Sequence, residues 1–103
     1  ILLLMLDNKN RLLCSEIISK GTVNASLLSS REIFKIALRN NAVSVLLLHN
    51  HPSGDPRPSK QDLLVTLQVY EASEMIGVPL LDHIIIGDNK YISLKEQNMF
   101  QTK

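Results

Sequence analysis

The segment Val43-Ser-Val-Leu-Leu-Leu48 runs without a break into His49-Asn-His-Pro-Ser-Gly-Asp-Pro-Arg-Pro-Ser-Lys-Gln-Asp62, and this junction constrains the fold more than any other stretch. A nearly continuous apolar run of this length is the pattern of a strand covered on both faces. It ends in two histidines and a loop that holds Pro52, Pro56 and Pro58, three of the chain's four prolines, before a helical pattern begins. Proline fixes φ, so this loop is stiff. Stiffness between a buried strand and a helix start implies a site whose parts must be held still.

The flanking sequence supplies the rest of one domain, since 103 residues are enough for a single core and too few for two. Residues 1–6 read as a buried strand, residues 7–10 as a turn, and residues 11–19 as a second strand that closes a hairpin. After Gly21 and a Ser-rich connection, Ser29-Ser-Arg-Glu32 has capping-box spacing and opens a helix that runs to about Arg39. Its apolar stripe is Ile33, Phe34, Ile36 and Ala37, and Asn40-Asn41 stops it. Beyond the proline loop, Ser59-Lys-Gln-Asp62 opens a second helix that ends at Gly77, with Leu63, Leu64, Leu67, Tyr70 and Met75 on one side. Residues 80–86 form a strand, residues 87–90 a turn, and residues 91–94 a short paired strand. The order β-β-α-β-α-β-β predicts an α/β fold, one mixed sheet flanked by helices.

Composition removes several function classes. Eleven basic residues nearly cancel ten acidic ones, for a net charge of +1, and none of them cluster. Direct nucleic-acid binding is therefore not expected, because steering of a polyanion needs a concentrated basic excess. Cys14 is the only cysteine. It excludes an internal disulfide and a Cys-rich zinc site, and it suits a reducing, cytoplasmic setting. The opening apolar stretch stops at Asp7, short of the ~20 residues a membrane span needs, and it lacks the features of a signal peptide. No membrane association is expected. Ile1 already lies inside a strand pattern, so the domain, residues 1–103, is expected to be truncated at its N-terminus.

Side chains two apart on an extended backbone share a face, so His49 and His51 project together from the end of the strand. Two adjacent imidazoles form a metal-binding pair, and a catalytic metal commonly takes a third protein ligand while leaving a position for water. The third ligand must return through the loop. Asp62, the first carboxylate of the helix start, is favoured over Asp55, which sits before Pro56 in a turn where Asp is common for backbone reasons. Asp62 and Ser59 also suit a helix start on their own account, as a dipole-compatible acid and an N-cap. Their convergence with the histidines at the carboxyl end of a buried strand, where α/β ligands usually sit, supports a metal site.

His49-x-His51, seven residues, then Ser59-x-x-Asp62 resembles the JAMM motif of JAB/MPN metalloprotease-like domains. The fuller run from His49 to Ser59, with Lys20-Gly-Thr22, Arg31-Glu32 and Leu81-Asp-His-Ile-Ile-Ile-Gly87, is similar to the bacterial RadC family, the UPF0758 group. The resemblance covers nearly the whole chain. It implies a cytidine deaminase-like three-layer architecture, a zinc ion held by His49, His51 and Asp62, and Ser59 as the catalytic residue that helps bind an oxyanion. It also implies a glutamate as general base, at or before Ile1. Glu32 is explained by capping and Glu16 by a solvent-facing strand position, so neither is carried over. The implied activity is hydrolysis of a peptide or isopeptide-like amide bond in an unidentified peptide or protein substrate.

Other readings are weaker on the residues. A DNA repair or recombination role, which the family's name brings with it, would act through partners. A zinc deaminase requires His-x-Glu and Pro-Cys-x-x-Cys, and both are absent. A binding-only domain remains the alternative if the upstream glutamate is missing. Asp82 and His83 are candidates to orient a ligand from beneath the site, against the plainer reading of His83 as a hydrogen-bonded strand histidine.

Overall fold

A computed structural model of the protein describes residues 1–19 and 28–100. Lys20-Gly-Thr22 and most of the Ser-rich connection lie outside the described residues. The elements are β1 (Leu2–Leu6), β2 (Leu12–Ile17), α1 (Ser30–Arg39), β3 (Ser44–Asn50), α2 (Lys60–Ile76), β4 (Leu80–Gly87) and β5 (Lys90–Ser93). They form one mixed sheet in the order β2-β1-β3-β4-β5. Only β3 and β4 run parallel, joined by α2, while the remaining neighbours are antiparallel. The α/β fold class and the order of elements are those the sequence predicts.

Alternation along the strands sets the core. Leu3 and Met5 of β1, Val45 and Leu47 of β3 and Ile85 of β4 face Ile33, Phe34 and Ala37 of α1 and Val65 and Val69 of α2. Their neighbours Leu2, Leu4, Leu46, Leu48 and Ile84 point to the other face and are half-buried. Within the run 43–48, Val45 and Leu47 are fully covered, Leu46 and Leu48 only partly so, and Val43 at its start is exposed, so the strand is not covered on both faces. Among the described residues no helix is long and apolar enough to cross a membrane.

Both helices begin where their caps predict. Ser29 is the N-cap of α1 and its Oγ accepts from the Glu32 amide. On α2 the capping box is complete, and Gly77 closes the helix in the left-handed region at φ 83°. The buried side of α2, however, is not the side that Leu63, Leu64, Leu67, Tyr70 and Met75 share in the sequence. Leu64 and Leu67 are nearly half exposed and Met75 is 88 % exposed, whereas Asp62, Val65, Thr66, Val69 and Ser73 are buried. Leu63 and Tyr70 only flank the core. The reason lies at the first turn. Once Asp62 must face the histidines, a period of 3.6 residues carries 65, 66, 69 and 73 to the sheet and turns 64, 67 and 75 away.

Candidate metal centre

Strand β3 continues past the apolar run through Asn50, which keeps His49 on the inward face with Leu47. His51 follows directly, its amide donating to the Ile86 carbonyl at 2.9 Å and so prolonging the pairing with β4. The proline loop is then clamped to the β4–β5 turn. The Gly54 amide donates to the His51 carbonyl at 3.0 Å, and the Asp88 amide donates to the Gly54 carbonyl at 2.8 Å. Gly54 is at φ +84°, and a Cβ on Gly87 would strike the Gly54 carbonyl and Pro56. Two glycines and three prolines therefore bring the loop back along one path.

That path delivers Asp62, whose side chain is fully buried, to the two histidines. Asp62 Oδ2 accepts from the Ser59 amide at 2.7 Å, and the Asp62 amide donates to Ser59 Oγ at 3.0 Å. The capping box thus fixes one carboxylate oxygen and leaves the other, Oδ1, aimed at His49 Nδ1 across 3.1 Å. Burial alone would push the Asp62 carboxyl up. The neighbouring His49 and the hydrogen bonds from Ser59 outweigh it and hold Asp62 well below the usual carboxylate range.

The tautomers follow from the partners, since a carbonyl only accepts. His51 Nδ1 lies 2.8 Å from the Asp55 carbonyl and must carry its proton there. Its Nε2 lies 3.0 Å from Asp62 Oδ2. An imidazole lone pair facing a carboxylate at that distance requires a proton or a cation between them. His49 Nδ1 and Asp62 Oδ1 are both buried and, among the described residues, make no hydrogen bond, despite their proximity. One donor atom from each of His49, His51 and Asp62 falls within 4.8 Å of the others. Two neutral nitrogens and one carboxylate oxygen match the ligand chemistry of a divalent transition ion, and the buried lone pairs left without partners are what such an ion would satisfy. The residues fit the group.

The other candidates are placed as follows. The Asp55 carboxylate pairs with Arg57 at 2.7 Å, and the Arg57 hydrogen bonds hold its pKa low. Its contribution to the site is the carbonyl that orients His51. Glu16 is exposed on β2, paired with Leu3 and separated from β3 by β1. Glu32 is exposed in the first turn of α1. Asp82 accepts from Ser93 Oγ and from the Lys95 and His83 amides. Cys14 is half-buried, with Sγ 3.9 Å from Met5 Sδ.

His83 is fully buried, its ring centroid 6.3 Å from that of His49. Its Nδ1 lies 2.6 Å from Oγ1 of Thr66, a residue with no sequence signal beyond its place one turn after Asp62. Desolvation pushes the His83 imidazolium down to about 4, so the ring is neutral at pH 7. A groove lined by Ile1, Leu2, Ile17, Leu48 and Pro52 reaches His49 from the side of the hairpin.

Residues 1–99 match the family described as RadC-like JAB domain. The chain belongs to that family. It is 53 % identical over 98 residues to a UPF0758 protein of Desulforamulus reducens, covering 95 % of this chain and 43 % of the relative. A UPF0758 protein of Listeria monocytogenes is 54 % identical over 97 residues, covering 94 % of this chain and 43 % of that one. A UPF0758 protein of the archaeon Methanosarcina mazei is 50 % identical over 94 residues, covering 91 % and 41 %. The RadC group is therefore not confined to bacteria, as the resemblance had implied. The chain spans less than half the length of these relatives.

Proposed function

We propose that this domain holds a zinc ion on His49, His51 and Asp62 and hydrolyses a peptide or isopeptide-like amide bond. The observation that carries the reading is the pair of buried atoms His49 Nδ1 and Asp62 Oδ1, 3.1 Å apart and without a hydrogen bond among the described residues, which converge with His51 Nε2 on one point. An ion bound there supplies a Lewis acid and lowers the pKa of water toward neutrality.

The chain's own residues account for the remaining parts. Ser59 Oγ accepts from the Asp62 amide, which leaves its O–H free to donate, and the residue is exposed at the rim of the site. That free donor suits an oxyanion developing on a carbonyl. Leu2 pairs with Leu48, so continuing the register of β1 sets Ile1 beside His49. Glu16 and Glu32 lie on other elements, and neither is given the role of proton acceptor. The lone Cys14 accords with a reducing cytoplasm.

The test is hydrolysis of a panel of peptide and isopeptide substrates by the full-length, zinc-loaded protein. Cleavage that a chelator abolishes and zinc restores is the expected result, with His49→Ala inactive. Cleavage that survives both chelation and His49→Ala would sink the reading.

A further inference from the structure

We infer that His83 is a positioning residue that sets the Asp62 carboxylate against His49 by hydrogen bonding through Thr66. The inference rests on the metal reading above and names a residue outside the motif that carries it. Thr66 Oγ1 donates to the Asp62 carbonyl at 2.7 Å and lies 2.6 Å from His83 Nδ1. A threonine hydroxyl has one proton. With that proton on the Asp62 carbonyl, His83 must donate its Nδ1–H to Thr66. The ring then carries a bare lone pair at Nε2, the buried His83 atom that has no hydrogen-bond partner among the described residues. A buried acceptor without a partner is cheaper than a buried N–H without one, so this tautomer is also the one burial favours.

The placement gives the contact its effect. Leu47 pairs with His83 and His49 pairs with Ile85 in the parallel ladder, so β3 and β4 hold the two histidines on one face as a unit. Asp62 stands on a different element. The capping box fixes its carboxylate within its own helix turn but does nothing to set that turn against the sheet. Val65 and Val69 press α2 onto the sheet through apolar contact, which is non-directional. The His83–Thr66 hydrogen bond is directional. It pins the second turn of α2 to β4, one helical turn beyond Asp62, and metal ligands must be held to within about half an ångström. Outer partners of this kind typically change metal affinity about 10- to 100-fold when removed.

A merely structural histidine predicts a different pattern, and three variants separate the two. His83→Leu keeps bulk and removes the donor, Thr66→Val removes the hydroxyl, and His83→Asn places an amide N–H near the position of Nδ1. Co2+ affinity and the visible ligand-field spectrum are read by competition titration, alongside urea stability at pH 7. The expected result is a fall in Co2+ affinity of about 10- to 100-fold with a shifted spectrum in His83→Leu and Thr66→Val. His83→Asn stays within about threefold of the parent, and the stability of His83→Leu is unchanged or raised. Parent-like affinity in both His83→Leu and Thr66→Val, or an equal fall in His83→Asn and His83→Leu, would overturn the inference. Nitrogen-15 NMR of the metal-free protein is the second measurement, in which His83 should show a protonated Nδ1 and a bare Nε2. The opposite tautomer overturns the assignment. A parent protein that takes up no Co2+ while His83 shows the expected tautomer overturns the metal reading and with it the role given to His83.

Discussion

His49 Nδ1 and Asp62 Oδ1 stand 3.1 Å apart, both buried, and are not hydrogen bonded to each other. A protein interior rarely leaves two such groups unsatisfied, and a cation between them removes the cost for both. Removing a ligand should therefore cost more than the 10- to 100-fold typical of an outer partner. His51→Ala and Asp62→Asn are each expected to lower zinc affinity by more than about a hundredfold. Elemental analysis and competition with a chelating dye measure it. Full zinc occupancy in His51→Ala would place the metal elsewhere.

Ser59 serves two ends through different parts of one hydroxyl. As a cap, its oxygen accepts from the Asp62 amide, and Ser59→Ala should cost about 1 kcal/mol of stability. As an oxyanion donor, its loss should lower turnover by on the order of a hundredfold or more with zinc content unchanged. Denaturant titration and kinetics on the full-length protein read the two separately. Normal turnover in Ser59→Ala would leave only the cap.

Acid should weaken the metal-free protein in two successive windows. His83 falls from 6.5 to about 4 on folding, so between those values the unfolded chain binds the extra proton. Stability is then constant above about pH 6.5 and declines toward pH 4, by about 3 kcal/mol over the window. The Asp62 carboxyl is also lowered, and its contribution is lost as pH falls further below the unfolded carboxylate value. Urea midpoints from pH 4 to 8 test the first window, and His83→Leu should flatten it. A parent curve that is level from pH 4 to 7 would show that the imidazole is not buried as described.

The clamp between the proline loop and the β4–β5 turn gives a structural prediction. A Cβ at Gly87 meets backbone at Gly54 and the ring of Pro56, neither of which moves cheaply. Gly87→Ala should cost about 1–3 kcal/mol and weaken metal binding, because the loop it displaces carries Asp55 and leads to Asp62. At Gly54 the clash is with the Asp88 side chain, which can rotate away, so the residual cost of Gly54→Ala is the φ of +84°. Comparing the two by denaturation and metal titration should show Gly87→Ala losing more affinity. Equal, small effects would mean the loop is not held by this turn.

The separation between what was legible and what was not follows interaction range. Ser29, Ser59, Asp62 and Gly77 announced the helix ends because capping is settled within a few residues. His49-x-His51 and Ser59-x-x-Asp62 announced the cluster of candidate donors because extended and helical spacing decide which way a side chain points. The buried face of α2 was not legible because its sequence is apolar on two sides, and periodicity cannot choose between Leu64 with Leu67 and Val65 with Val69. The choice came from where Asp62 must look. The Asp55 carbonyl on His51 and the Thr66 hydroxyl against His83 left no trace in composition or spacing. Each joins groups whose meeting depends on a loop's return or on the register of two strands. The sequence by itself determined the elements, their ends and the donor set. Only the tertiary structure decided which face of α2 meets the sheet and which groups orient the donors, because those contacts exist only once separate elements are packed together.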